Sequence, residues 1–223
     1  MKKSLLILTA VLYFNSIYSQ VLYTENFDSY NTGYLGTDPT GAVPGQGGWL
    51  TMSLYTQTNA FFTIVNETGR GKVFNMSTGL SPKEYLYVEK EISKPTFDSR
   101  NPGNDVLMFE VDYYTGVKQL LGISHIMLSS RAGVESYVLR EVWFDKSNSN
   151  GPLWPLPINF NTWIKIIIYI DYPNNKTYTH YPDLNKVFVY DIVPYSTSTN
   201  LIQEYPITHI SFDGLDMQIK NPV

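Results

Sequence analysis

The chain contains no cysteine among its 223 residues. This absence excludes disulfide bonds, thiol catalysis and cysteine-ligated zinc. The three histidines, His125, His180 and His209, are far apart in the sequence and show no His-x-His or His-Glu-x-x-His spacing. A zinc site built on histidine is therefore not indicated either.

The sequence also lacks an excess of positive charge. The first nineteen residues hold two of the sixteen basic residues and no acidic ones, so residues 20–223 carry 14 basic and 20 acidic residues, a formal net charge of −6. Nucleic acids and anionic membranes are bound through basic patches. We therefore expect no nucleic-acid partner.

Long hydrophobic runs are missing, apart from one near the start. Leu5 to Phe14 is apolar except for Thr9, follows Lys2 and Lys3, and is too short to span a bilayer. A short basic start, an apolar stretch and a small residue at the cleavage point, here Ser19, are the layout of a secretory signal peptide. We expect residues 1–19 to be removed, leaving a protein without a transmembrane segment that is secreted or held in the cell envelope.

We interpret residues 20–223 as one domain. Helical periodicity is absent from almost all of it. Runs that alternate between apolar and polar residues recur instead, bounded by Gly, Pro, Asn and Ser. They predict strands at 21–27, 61–66, 72–76, 85–92, 106–114, 122–129, 136–144, 163–171, 177–181, 187–193, 207–212 and 215–219, with one helical turn within 197–204. In the clearest run, Ile164, Ile166, Ile168 and Ile170 point one way. This spacing predicts an all-β, two-sheet antiparallel β-sandwich of the jelly-roll type.

Three short pieces of the chain give this prediction a family context. The first piece is Glu25–Tyr30 with Gly33, followed by Gly47-Gly48-Trp49. The second is Asn161–Lys165, which leads to Asp171, and the third is Ile210–Leu215 near the end. These pieces resemble the concanavalin A-like (laminin G-like) jelly-roll domains of secreted Bacteroidetes proteins. The resemblance implies that the opening and closing pieces lie on neighbouring strands.

The same resemblance implies a possible cofactor. Sandwiches of this type often hold a structural calcium ion near the two termini, ligated by carboxylates and backbone carbonyls. Glu25, Asp28 and Asp213 are the acids that the resemblance indicates, with Asp216 as an alternative to Asp213.

Aromatic residues supply the candidate binding site. A sugar ring stacks its apolar face on Trp or Tyr, while its hydroxyl groups bond to neighbouring polar side chains. On the predicted strand 136–144, alternation places Trp143, Tyr137 and Glu141 on one face and Arg140 on the other. With Trp154 from a proline-rich loop, these residues form the predicted ligand-binding set. We expect a monomeric, non-catalytic module that binds a glycan or cell-surface polysaccharide, or mediates adhesion.

Two alternatives remain open at this point. The first is a polysaccharide-degrading enzyme on the same fold, although Glu110-Val-Asp112-Tyr-Tyr-Thr115 has Thr115 where the hydrolases of the fold carry a third acid. A lyase would use an arginine, histidine and tyrosine set, for which the chain offers His125, Arg131, Arg140 and Tyr137. The second alternative is a purely structural exoprotein domain.

Overall fold

The structure is a computed structural model, and it describes residues 20–77, 84–118, 123–132, 135–147, 156, 158–192, 201–214 and 217–220. Within these ranges it contains two short α-helices, Lys94–Asp98 and Leu201–Glu204, and three single-turn 3₁₀ helices. The strands of the described ranges are β1 (Gly33–Tyr34), β2 (Trp49–Ser53), β3 (Phe62–Glu67), β4 (Gly71–Met76), β5 (Leu86–Glu91), β6 (Val106–Tyr114), β7 (Ile123–Ala132), β8 (Glu135–Asp145), β9 (Trp163–Asp171), β10 (Lys176–Tyr181), β11 (Lys186–Asp191), β12 (His209–Gly214) and β13 (Met217–Lys220).

The strands form two antiparallel sheets. The eight-stranded sheet has the order β1-β3-β4-β13-β6-β9-β10-β11, and the five-stranded sheet has the order β2-β5-β12-β7-β8. The last two strands, β12 and β13, follow each other in the chain but belong to different sheets. The predicted two-sheet antiparallel β-sandwich is therefore confirmed.

The core lies between the two sheets and is rich in aromatic rings. Ile166, Ile168 and Ile170 are fully buried, as the alternation of β9 predicts. Across the sandwich, the rings of Tyr113 from β6 and Phe144 from β8 stack with centroids 4.0 Å apart. Such pairs add to the free energy that burial of their large apolar surfaces already contributes.

The opening segment corrects one prediction. Residues 21–27 were expected to form a strand, but no strand is assigned there. The carboxylate of Glu25 accepts bonds from the backbone N–H of Phe27 and the hydroxyl of Tyr30, and Phe27 has a positive φ of 61°. These local bonds curl the chain into a turn, so it cannot continue as an extended strand.

Besides the two-residue strand β1, which lies in a predicted loop, the sequence missed two longer elements because their signals are weak. Trp49–Ser53 forms β2, whereas the sequence indicated only the end of a loop at Trp49. The helix Lys94–Asp98 lies in a segment that was expected to be a loop because of Pro95. Ser93 caps this helix and Pro95 occupies its first turn, where a missing N–H costs nothing.

A β-bulge in β8 changes which side chains share a face. Leu128 pairs with Arg140 and Ser129 pairs with Val138, so Leu139 is the extra residue. Leu139 is 3% exposed whereas Val138 is 48% exposed. The prediction of a single alternating face from 137 to 143 is therefore wrong at the bulge.

No described helix is long and apolar enough to cross a membrane.

The stacked ring of Phe144 gives a test of the core. We expect Phe144→Ala to lower the free energy of unfolding by about 3–5 kcal/mol, because it removes a fully buried ring and leaves a cavity against Tyr113. Tyr34→Ala, at a side chain that is 60% exposed, should change it by less than about 0.5 kcal/mol. Urea denaturation measures both. Equal effects of the two substitutions would contradict this description of the core.

Candidate functional site

Polar side chains gather on the outer face of the five-stranded sheet. Along its strands the apolar residues point inward to the core, and every second residue points outward. Because β12 lies between β5 and β7, Asp213 pairs with both Tyr87 and His125, and His125 pairs with Trp143. We call this surface the polar face, and it comprises Tyr85, Tyr87, Glu89, His125, Arg131, Glu141, Trp143, His209, Ser211 and Asp213.

Two carboxylates of the polar face share one imidazole. The Nδ1 atom of His125 lies 3.1 Å from Oε1 of Glu141 and 3.0 Å from Oδ1 of Asp213. The hydroxyl of Tyr85 donates to Oδ2 of Asp213 at 3.0 Å. A single N–H can be directed at only one acceptor, and Oδ1 of Asp213 accepts no well-aligned hydrogen bond from any described residue, despite its short distance from the ring nitrogen. Glu141 and Asp213 therefore present more acceptor oxygens around His125 than the described residues supply donors for.

Trp143 forms the exposed side of this group. Its ring lies against the ring of His125, with centroids 3.7 Å apart, yet the side chain is 52% exposed. Glu141 is partly accessible at 24% of its side chain, whereas the side chain of Asp213 is only 3% exposed. Trp143 and Glu141 are therefore the most accessible members of this group.

A second network joins Arg131 to β5. Its guanidinium contacts both oxygens of Glu89, at 2.7 and 2.5 Å, and donates to the hydroxyl of Tyr87 at 2.7 Å. Tyr87 in turn donates to Glu89. Burial, followed by the hydrogen bond to Glu89, raises the pKa of Tyr87 to about 12, so its hydroxyl keeps its proton at neutral pH.

His209 lies at the edge of this second network. Its Nδ1 atom is 2.8 Å from the hydroxyl of Thr208, and its Nε2 atom is 3.9 Å from Glu89. Burial lowers the pKa of His209, and this outweighs the opposing carboxylate of Glu89. At the other end of the polar face, burial and then the charge of Asp213 raise the pKa of Tyr85 well above its usual value.

The structure brings together only part of the predicted ligand-binding set. Glu141 and Trp143 lie on the polar face, as described. Arg140 points the other way, where its Nε donates to Thr179 at 2.7 Å and its guanidinium covers the ring of Tyr190. The ring of Tyr137, beyond the bulge, packs edge-on against Tyr205 with centroids 4.7 Å apart. Trp154 lies outside the described residues.

The three predicted calcium ligands have protein partners. Glu25 bonds to Phe27 and Tyr30, Asp28 contacts the ammonium of Lys220 at 2.9 Å, and Asp213 belongs to the polar face. Within the described ranges, no group of three His, Asp or Glu side chains is arranged to hold a metal ion. The calcium site stays a prediction.

The incomplete hydrolase pattern lies on the opposite side of the sandwich. Glu110 and Asp112 point outward from β6, and both contact the ammonium of Lys165. Thr115 is fully buried and bonds to backbone oxygens. Of the lyase set, the structure places His125 and Arg131 on the polar face, while Arg140 and Tyr137 lie elsewhere.

Several residues of the polar face were not predicted as a group. Tyr87 and Glu89 alternate with apolar residues on β5, which Tyr85 directly precedes, and Ser211 and Asp213 do so on β12. This alternation was visible, but the order β5-β12-β7-β8 was not. Only that order brings the side chains of distant segments together.

Comparison with known proteins yields distant structural likenesses. No family model and no curated protein sequence matches the chain. Among solved structures, the chain is similar to a sialidase, at 11% identity and a TM-score of 0.48, with 90% of this chain and 18% of the sialidase covered. A winged bean acidic lectin complexed with methyl-alpha-D-galactose has 9% identity and a TM-score of 0.40 over 90% of this chain and 98% of the lectin. The lectin UEA-II complexed with galactose has 10% identity and a TM-score of 0.39 over 90% and 99%. At these values the likeness does not identify a ligand or an activity.

The ion pair between Arg131 and Glu89 gives a stability prediction. We expect Arg131→Ala to lower the free energy of unfolding by about 2–4 kcal/mol, because it leaves the buried Glu89 carboxylate without its main partner. Arg70→Ala is the control and should cost less than about 1 kcal/mol, since its carboxylate contacts are 3.8 and 4.0 Å long and partly exposed. Adding Glu89→Gln to the Arg131 variant should recover part of the loss in urea denaturation. A double variant less stable than Arg131→Ala would contradict the explanation.

His209 gives a prediction for acid pH. A folded pKa below the unfolded value of about 6.5 means that the unfolded chain binds more protons, so stability falls as pH drops below about 6.5. Between pH 7 and pH 5.5 the free energy of unfolding should fall less in His209→Gln than in the unchanged protein, by up to about 1 kcal/mol. Urea denaturation across this range measures the slope. An unchanged slope would show that His209 does not contribute to it.

Proposed function

We propose that the protein is a secreted carbohydrate-binding module whose ligand lies on the polar face, over Trp143. The observation that carries the proposal is the half-exposed indole of Trp143 beside a carboxylate group that has more acceptors than donors. An aromatic surface suits the apolar side of a sugar ring, and acceptors suit its hydroxyl groups. The proposed role outside the cytoplasm rests on the signal-peptide pattern of residues 1–19.

The charges of the polar face favour a neutral glycan. The polar face holds the carboxylates of Glu89, Glu141 and Asp213. Its one guanidinium, that of Arg131, is already engaged by Glu89. A uronate or sulfate would meet like charge next to Trp143, where it would be partly desolvated. A ligand made of neutral hexoses meets no such repulsion and can donate hydroxyl hydrogens to Glu141.

One observation favours a second candidate function, polysaccharide hydrolysis. Glu141 and Asp213 both approach the same nitrogen of His125, so two carboxylates lie side by side on the polar face, and glycosidases use such a pair of carboxylates. The burial of Asp213 and its bond to Tyr85 argue against direct attack by that carboxylate on a sugar. Binding therefore remains the leading proposal.

A glycan array with paired variants tests the binding proposal. We expect the purified protein to bind at least one neutral glycan, and Trp143→Ala to weaken that binding at least tenfold, because the stacking surface is lost. Glu141→Gln should weaken it less, because the amide keeps one acceptor oxygen. Tyr34→Ala removes an equally exposed aromatic from the other sheet and should bind as the unchanged protein does. Trp154→Ala tests the one residue of the predicted set that lies outside the described residues.

The same panel separates the two functions. Release of reducing sugar that Glu141→Gln abolishes while binding persists would establish hydrolysis in place of simple binding. Absence of binding to every glycan, or full binding by Trp143→Ala, would contradict the proposal.

A further inference from the structure

A pocket of about 440 Å³ lies on the inner side of the five-stranded sheet and opens to solvent beside the half-exposed Val106 and Met108. Both sheets line it, through Leu107 and Phe109 of β6, Leu128 of β7 and Ile210 of β12. Residues 20–23, which we call the N-terminal strap, also line it, together with Phe97 of the helix Lys94–Asp98. The cavity is thus separated from the polar face by the thickness of the sheet.

The size of this space argues for an occupant. Binding pockets for small molecules are concave, mostly apolar and of about 300–1,000 Å³, and this pocket falls in that range. An apolar cavity of ~150 Å³ stays dry and takes up one benzene molecule, so a space about three times larger suits an apolar ligand of roughly 18 non-hydrogen atoms. A single acyl chain has this volume and matches the aliphatic lining.

Arg100 supplies a charge at the cavity. Its guanidinium lies over the ring of Phe97 at 4.5 Å and donates one hydrogen bond to the carbonyl of that residue. The nearest carboxylate, that of Asp105, is 3.6 Å from Nε, which is too long for a strong hydrogen bond. The side chain is 12% exposed, and part of its planar set of donors is unused within the described residues. A carboxylate is the partner that this geometry accepts best.

The N-terminal strap offers a way into the cavity. The side chain of Gln20 holds the strap to the loop after the helix, donating to the carbonyl of Ser99 at 2.9 Å and accepting from the N–H of Asn101 at 2.6 Å. Both bonds are exposed to solvent, and Val21 is 63% exposed. Exposed bonds of this kind open at a low cost in free energy.

We propose that this cavity binds one free fatty acid, with the acyl chain between the sheets and the carboxylate at Arg100. This site is independent of the polar face and of the glycan proposed there. A chain of about 12–16 carbons fits the volume. Binding should also stabilise the fold, because the pocket exists only in the folded chain.

Calorimetric titration with dodecanoate, and in parallel with dodecanol, tests the proposal on the purified protein. We expect one molecule of dodecanoate to bind per chain. Arg100→Gln should weaken dodecanoate at least fivefold and leave dodecanol nearly unchanged, because only the acid uses the guanidinium. Arg70→Gln is the matched control, since Arg70 also covers an aromatic ring, that of Trp163 at 4.3 Å, but lies outside the cavity. It should bind both ligands as the unchanged protein does.

Two filling variants locate the ligand. Leu22→Trp places a large ring in the cavity from the N-terminal strap, and Leu107→Trp does so from β6. Each should abolish binding of both ligands, with circular dichroism reporting whether the sheet signal is kept. Because Leu22 belongs to the strap and not to a strand, its variant remains informative if Leu107→Trp fails to fold. Absence of dodecanoate binding, or binding that persists in a folded Leu22→Trp variant, would overturn the proposal. An equal loss of dodecanoate and dodecanol in Arg100→Gln would overturn the assignment of the carboxylate to Arg100.

Discussion

The position of β12 between β5 and β7 is the constraint on which the rest of the structure depends. Ile210 and Phe212 point into the core, and Ser211 and Asp213 point to the polar face. A shift of one residue in the pairing would exchange these two sets of side chains. The pairing is close as well as specific, because a Cβ atom at Gly214 would lie 2.0 Å from the carbonyl oxygen of Ile123. The core and the polar face therefore depend on the same hydrogen-bonded register.

The two faces of the five-stranded sheet place different demands on the fold. On the inner side, aromatic rings such as Phe144 and Tyr113 fill the space between the sheets, except where the cavity remains. On the outer side, charged groups lie unusually deep, since Glu89 is 4% and Asp213 is 2% exposed. Buried charges reduce stability unless they are paired, and Asp213 is paired less completely than Glu89. The buried, incompletely paired Asp213 therefore lowers the stability of the fold, and such destabilising groups are common at functional sites.

Much of the fold could be predicted because its signal is local. The alternation of Ile164 to Ile170 predicted both the strand β9 and its buried side, and the turn near Gly69 predicted the hairpin of β3 and β4. The strand expected at 21–27 failed because bonds from Glu25 compete with strand pairing. The bulge at Leu139 could not be read from the sequence, because it depends on how β7 pairs with β8. It moved Tyr137 away from Trp143, although simple alternation places them together.

The candidate site was predictable only in part, for the same reason. Trp143 and Glu141 were identified because they are close in the sequence and share a strand face. Their connection to His125, Asp213 and Tyr85 spans three further strands, and the strand order follows from packing of the whole chain. The calcium prediction and the role of Trp154 are not decided by the described residues.

The most direct test of the account uses the four tryptophans as separate reporters. In nuclear magnetic resonance spectra of the ¹⁵N-labelled protein, each indole N–H gives one signal, which can be followed as a bound glycan is titrated. If the glycan binds over Trp143, the Trp143 signal moves with saturation, while the signals of the buried Trp49 and of Trp163, whose indole donates to Glu67 on the other sheet, stay in place. A glycan that moves the Trp163 signal and leaves Trp143 unchanged would contradict the assignment of the polar face as the binding surface.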